Sequence, residues 1–308
     1  MTVTFTDSPP VSRPNPQKRN ILIQRLARAP WWLLLLALLI ILFVRSVSNR
    51  HPYPVVWNAV EQGIVVTIRV SVIAYALAMF LALIVAMLRR SSNPVIYQLV
   101  TLYVEAVRGI PTLVLVYYMA LAAIPKLIQL GNDLGEWLTW VKITLVLTDS
   151  TVYHITFHGI GSTLRDFGVR DFPNEYRAII GLAISYSAFL SEVFRAGIES
   201  VGVGQHEAAS SLGMTRWQVM RLIVLPQAFR VVIPPLANDF IAMLKESSLV
   251  SILGVEDITR QGQTYAASTF TFFQVYNVVA LTYLVLTISL SMLVKLLEMY
   301  LHRGRKHA

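Results

Sequence analysis

The chain has 308 residues, of which 55% are hydrophobic and only 14% charged. Soluble domains carry about 25% charged residues, so this composition excludes an ordinary water-soluble globule and points to lipid. The absence of cysteine excludes disulfides and thiolate metal sites, and the net charge of +9 sits mainly between apolar segments, a pattern that orients a membrane protein without any nucleic-acid partner.

Residues 1–30 form a Pro-rich basic tail, read as cytoplasmic. The first apolar window, residues 31–47, resembles a signal peptide in length, but the following RSVSNRHPYP offers no small-residue cleavage site. It is read as an uncleaved span, with Trp31 and Trp32 at headgroup level, and residues 31–62 as an extra N-terminal span plus outer loop. The main membrane domain then covers residues 63–298. Its first window, residues 63–88, stops at Arg89-Arg90 before a Ser-Ser-Asn-Pro turn. Another window covers about residues 95–124. Residues 125–177 are mixed in character and are read as an external insertion. Within it WLTWVKITLVLTD is too short to span and is expected to be interfacial or re-entrant, whereas the alternating TVYHITFHGI suggests a short β-hairpin arm. Further windows cover residues 178–201, 231–255 and 273–297. A basic tail, residues 299–308, closes the chain. Threaded from a cytoplasmic N-terminus, the six windows place Arg89-Arg90, residues 202–230 and the C-terminus inside, and the long insertion outside. The expected fold is an all-α polytopic membrane protein of about six transmembrane helices.

The inner segment 202–230 reads as a small-surfaced helix, a glycine hinge at Gly213 and a second amphipathic helix ending at Pro226. Ala208, Ala209, Ser210 and Ser211 leave almost no side-chain bulk, so another backbone can approach closely. Glu207 lies near the helix start, where the macrodipole favours an acid, and Gly213 permits a turn that a β-carbon opposes. Trp217, Met220, Leu222 and Ile223 are expected to lie along the bilayer surface. On these grounds alone, docking a partner and merely lying at the interface are both open.

Glu-Ala-Ala at 207–209, Gly213 four residues on, and Leu225-Pro226 together resemble the EAA loop of ABC-importer permeases. GQHEAA, LPQAFR, IPPLANDFI, LKESSLVSILGV, YVEAVRGIPTLVLV and SAFLSEVFRAGI resemble that family's polar amino-acid branch. The likeness covers about residues 63–298 apart from 125–177, and Phe189 stands where the branch usually has tyrosine. The resemblance implies a type I ABC-importer permease core in a bacterial inner membrane. It also implies an amino-acid substrate, a second permease subunit, a pair of ATPase subunits and an external solute-binding protein. Glu207, Ala208, Ala209, Gly213, Leu225 and Pro226 would then couple to the ATPase. ATP and magnesium would bind the ATPases, because this chain has no GxxxxGK[ST] and GIGSTLRDFG lacks the phosphate-reaching lysine. No cofactor and no catalytic residue is assigned to the chain itself.

Ionisable groups inside spans are costly and mark pathways by default. Glu192 is read as bordering the pathway or a gate, and Arg195, nearer the inner end, as a structural ion-pair partner. Ala183, Ser187 and Ser191 form a packing strip at i, i+4, i+8, and Ser185, Phe189 and Glu192 are read as a separate, lumen-facing set. Glu105, Arg108, Gly109 and Pro111 make a hinge or ion-pair site, with Pro111 expected to bend the third span. Pro234-Pro235 is expected to start the fifth helix, whose Asn238, Lys245 and Glu246 are further pathway candidates. Lys245 and Glu246 diverge by about 100° and are not expected to pair. Arg69 is expected to snorkel outward. His154 and His158 have no third ligand nearby, so no metal site is assigned. A secondary transporter driven by an ion gradient is the alternative, with Glu192 or Glu246 as its titrating group. A membrane-bound enzyme is a weaker one.

Overall fold

The computed structural model describes residues 52–303 apart from 141, 149, 150 and 157, together with 38, 40–42 and 45. Almost all of the first apolar window, both tails' outer residues and their expected cytoplasmic placement therefore lie outside the described residues. Five described helical stretches are long and apolar enough to cross a bilayer: Tyr53–Leu88, Thr112–Trp140, Asn174–Glu199, Arg216–Leu253 and Phe272–Tyr300.

Helix α1 (Tyr53–Val60) runs almost directly into α2 (Gln62–Leu88). Asn93 caps α3 (Pro94–Gly109) by accepting from the Val95 amide at 2.9 Å, with Pro94 in the first turn, where its missing N–H costs nothing. At Pro111 the chain does more than bend. Ile110 and Pro111 are both extended (ψ 132° and 136°), and a new helix α4 (Thr112–Tyr118) begins. The window expected at 95–124 is thus split, and the stretch able to span starts at Thr112. After a π-helical turn, Met119–Ala123, α5 (Ile124–Trp140) carries the helix well into the segment read as an insertion. Lys142–Thr148 forms strand β1, antiparallel to β2 (Thr151–Thr156). Its alternating, β-branched sequence favours a strand over a helix. The hairpin arm foreseen at TVYHITFHGI is therefore present, and α6 (His158–Asp166) leads back from it. Gly135 and Gly161 let α5 and α6 touch backbone to backbone, because a β-carbon at either would approach the other's carbonyl to 2.7 Å.

Helix α7 (Asn174–Glu199) is the most buried of the candidate spans. It packs along α2, whose buried face is nearly all small: Gly63, Thr67, Ser71, Ala74, Ala78, Ala82 and Ala86. Without a hydrophobic force between helices in lipid, such close approach is what dispersion can use. Ala183, Ser187 and Ser191 of α7 are all buried, as the packing strip requires.

Helix α8 (Val203–Ser211) precedes a short α9 (Arg216–Gln218), a second π turn (Val219–Val224) and α10 (Leu225–Glu246). This corrects two expectations. The amphipathic segment is not a separate surface helix ending at Pro226, and Pro234-Pro235 does not start a helix. Both prolines lie inside α10, and the helical run is unbroken from Arg216. At Pro226 the physical reason is shared with α5: each π turn ends two residues before a proline, Pro125 or Pro226. A widened turn gives room where a proline ring would strike the carbonyl four residues back. Past a 3₁₀ turn (Ser247–Leu253), α11 (Ile258–Thr269) and α12 (Phe272–Arg303) complete the described chain. Helices α1, α11 and α12 share a second core of Val56, Val60, Ile258, Ala266, Val275 and Val278.

Candidate functional site

The loop between α7 and α10 has a defined conformation. Gly213 takes φ +76°, its amide donates to Ser210 O at 2.9 Å, and the Met214 amide reaches back to Ala209 O at 3.2 Å. That pair of bonds is a Schellman stop, completed by burial of Ala209 beside Met214, Val219 and Val224. Two residues later Thr215 and Gln218 form a capping box, with Gln218 Oε1 accepting from the Thr215 amide at 2.8 Å. The sequence thus ends one helix and starts the next within four residues. Glu207, Ala208, Ser210 and Ser211 are exposed, while Leu225 is half-buried and Pro226 exposed. The result is a short, low-relief helix, pinned by Ala209 and open on its other side.

Immediately above lies an ion cluster. The Glu192 carboxylate accepts from Arg195 Nε and Nη2 at 2.8 and 2.7 Å and from Arg89 at the end of α2, with Arg108 Nη1 4.0 Å away. Arg195 also meets Glu199 at 2.7 Å, one turn before the loop. The Arg108 guanidinium lies 5.8 Å from the centre of the Phe189 ring. Three arginines from α2, α3 and α7 therefore converge on one carboxylate, and Arg108 turns to Glu192 and not to its own helical neighbour Glu105, which is exposed. Because Arg89 and Arg108 meet at one side chain, α3 returns the chain to the level where α2 ended. Gly109 has open space beside it, in keeping with the break at Ile110-Pro111.

The other candidates fall in a different place. Ser185 is 1% exposed and its hydroxyl has no hydrogen-bond partner, whereas Phe189 is 41% exposed, so the two do not share an open face. Asn238 donates to Pro234 O at 3.1 Å, occupying a carbonyl in the proline-containing turn. Lys245 is exposed and Glu246 half-buried, with no ion pair between them. Glu246 and Asp239 both act electrostatically on the Tyr186 hydroxyl of α7, and Asp239 on Tyr75 of α2. Tyr75 donates to Leu236 O at 2.5 Å and packs edge-on against Phe240. Sequence reasoning overlooked Asp239, Tyr75, Tyr186 and the role of Arg89. An acid within a span was the available signal for Asp239, while Arg89 was absorbed by the topology argument.

Two ion or hydrogen-bond sites stabilise the opposite end. Arg69 does not simply snorkel: its guanidinium makes paired bonds of 2.9 and 2.8 Å with Glu175 in the first turn of α7. Asp257 caps α11 through the Arg260 amide at 2.8 Å and receives the Tyr283 hydroxyl at 3.2 Å. Burial raises its carboxyl to about 6, the bonds from Arg260, Thr259 and Tyr283 opposing that shift.

Residues 74–306 match the family described as "Binding-protein-dependent transport system inner membrane component". A "Probable amino-acid permease protein YxeN" of Bacillus subtilis is 36% identical over 77% of this chain and 88% of its own length. A "Probable glutamine ABC transporter permease protein GlnM" of the same organism is 34% identical over 77% and 91%. Among solved structures, an amino-acid ABC transporter crystallised with histidines superposes with a TM-score of 0.62 and 30% identity, covering 79% of this chain and 94% of that one. The inward-facing MetNI methionine transporter shares the fold at a TM-score of 0.56 and 16% identity, covering 79% and 96%.

Proposed function

This chain belongs to the family of binding-protein-dependent transport system inner membrane components, and on that premise we propose that it is the pathway-forming permease of an ATP-driven importer of amino acids. The named relatives and the 30%-identical solved transporter support the amino-acid class. Two such permeases, identical or paralogous, would assemble with two ATPase subunits in a bacterial inner membrane, both termini inside, and receive substrate from an external solute-binding protein. The chain itself performs no hydrolysis in this reading. Its contribution is to change shape.

The observation that carries the coupling role is the stopped, exposed α8 with its Schellman turn at Gly213. A groove on an ATPase can accept this helix because Ala208, Ser210 and Ser211 present little more than backbone. Movement of α8 acts on α7 across only three residues, and the Glu199–Arg195–Glu192–Arg89 chain of ion pairs continues the connection to the end of α2. In this reading Glu192 holds the inner ends of α2 and α7 together and gates the pathway. The mid-bundle patch of Tyr75, Tyr186, Asp239 and Glu246 offers polar surface to the substrate above it.

The test is co-reconstitution with the ATPase subunit. Ala208→Trp adds bulk to the docking face, and Gly213→Asp places a β-carbon in a left-handed conformation that disfavours it by about 1 kcal/mol. Both variants are expected to insert normally yet lose ATP-driven amino-acid uptake at matched protein levels. Full uptake by both refutes the docking role.

A further inference from the structure

Phe270 is the only non-glycine residue with positive φ among the described residues, at +58°. It closes α11 by donating its amide to Ala266 O at 2.8 Å, a position where glycine or asparagine avoids the steric clash. Its ring stays 81% exposed, so burial offsets little of that cost. Phe272 and Phe273 are 49% and 74% exposed, and the Phe270 and Phe272 rings meet edge-on at 6.4 Å. The turn is thus a strained aromatic knob. Strain offset by little more than one exposed ring contact points to function.

Beside the knob, α11, α1 and the first residue of α2 enclose an open cleft of about 310 Å³ lined chiefly by Asn58, Gln62, Gln261, Thr264, Tyr265 and Ser268. Three carboxamides and three hydroxyls cannot sit in hydrocarbon without losing water they need, so this surface lies outside the bilayer. No ionisable carboxylate, amine or guanidinium lines it. Carboxamides donate and accept at once, which suits the backbone of a partner's loop. An exposed aromatic anchor beside hydrogen-bonding polar groups has the composition of a protein-docking hot spot.

We propose that the 269–273 turn and the α1–α11 cleft dock the solute-binding protein, with the Phe270 ring as anchor and the carboxamides holding a loop of that protein. This rests on the importer reading and on its topology, which puts the α11–α12 turn outside. Recognition here is by shape and hydrogen bonding, so it is expected to survive high salt, unlike charge-steered docking.

The experiment uses the assembled transporter in nanodiscs and titrates the substrate-loaded solute-binding protein that stimulates its ATP hydrolysis. Phe270→Gly is expected to raise the half-stimulating concentration about tenfold or more, while leaving the melting temperature unchanged or higher because the strain is relieved. Phe270→Ala should lose docking equally, and Phe270→Trp should retain it. Half-stimulating concentrations within about twofold of wild type for both small variants overturn the proposal. A lowered melting temperature for Phe270→Gly with unchanged stimulation also overturns it, making the ring structural. A polarity-sensitive dye on Ser268→Cys reports the surroundings. A lipid-like emission unaffected by the binding protein identifies a membrane anchor instead, whereas a shift on its addition supports docking. Labelling of that cysteine solely from the cytoplasmic side sinks the topology as well; outward labelling with unchanged half-stimulation sinks this proposal alone.

Discussion

Replacing Glu192 by Gln tests the ion cluster at the loop's base. Glutamine keeps the shape and one acceptor oxygen but removes the only carboxylate that Arg89 reaches among the described residues. The Arg89 and Glu192 side chains are 16% and 19% exposed, so an unpaired Arg89 is left mostly out of water. Losing one partner of a fully buried pair costs about 3–5 kcal/mol. Partial exposure reduces this, so about 2–3 kcal/mol is expected. Arg195→Gln should cost much less, about 1 kcal/mol or under, because Arg195 is 40% exposed and Glu192 keeps Arg89. The assay is thermal unfolding of the purified complex in lipid nanodiscs, paired with uptake per ATP hydrolysed. Glu192→Gln should melt distinctly below Arg195→Gln, and where it assembles it should hydrolyse ATP with little transport. The charge-exchanged pair Arg89→Glu with Glu192→Arg should recover part of both losses. Equal melting of the two single variants, or full coupling in Glu192→Gln, refutes the reasoning.

Single cysteines in this cysteine-free chain should label from the cytoplasm at Gly204 and from outside at Thr163, both exposed; external labelling at Gly204 contradicts the ATPase-docking topology. Asp257 has a carboxyl raised by burial from 3.8 to about 6, so its protonation favours the folded state. That stability is fully present below about pH 4 and is lost as pH rises through about 6, an effect of order 3 kcal/mol. Asp257→Asn, which can still cap α11, should flatten that part of the melting-temperature profile, and an unchanged profile assigns it to another group. Gly135→Leu should shear α5 from α6, since a β-carbon there would lie 2.6 Å from the Arg165 amide nitrogen, and is expected to expose the arm to protease; undiminished protection argues against that contact.

Much of the architecture is legible in one dimension because lipid imposes a local rule. A span must satisfy its own backbone and be apolar along its length, so residues 63–88, 178–201 and 273–297 mark helices without reference to anything else. The same holds for the loop, where Gly213 and the Thr215–Gln218 pair are local turn chemistry, and for the buried strip of Ala183, Ser187 and Ser191. Proline is the point at which local reading stops. Pro111 separates two helices while Pro125, Pro226, Pro234 and Pro235 are carried inside helices, because π turns and neighbouring packing decide whether a missing N–H and a displaced carbonyl are tolerated. Charge partners are equally invisible along the chain. The i, i+3 spacing at 105 and 108 matches that at 192 and 195, yet only the second pair forms, and Arg108 and Arg89 reach Glu192 across 84 and 103 residues. A buried carboxylate must be paired by whatever cation the folded bundle brings within reach. Only the tertiary structure decides which one that is.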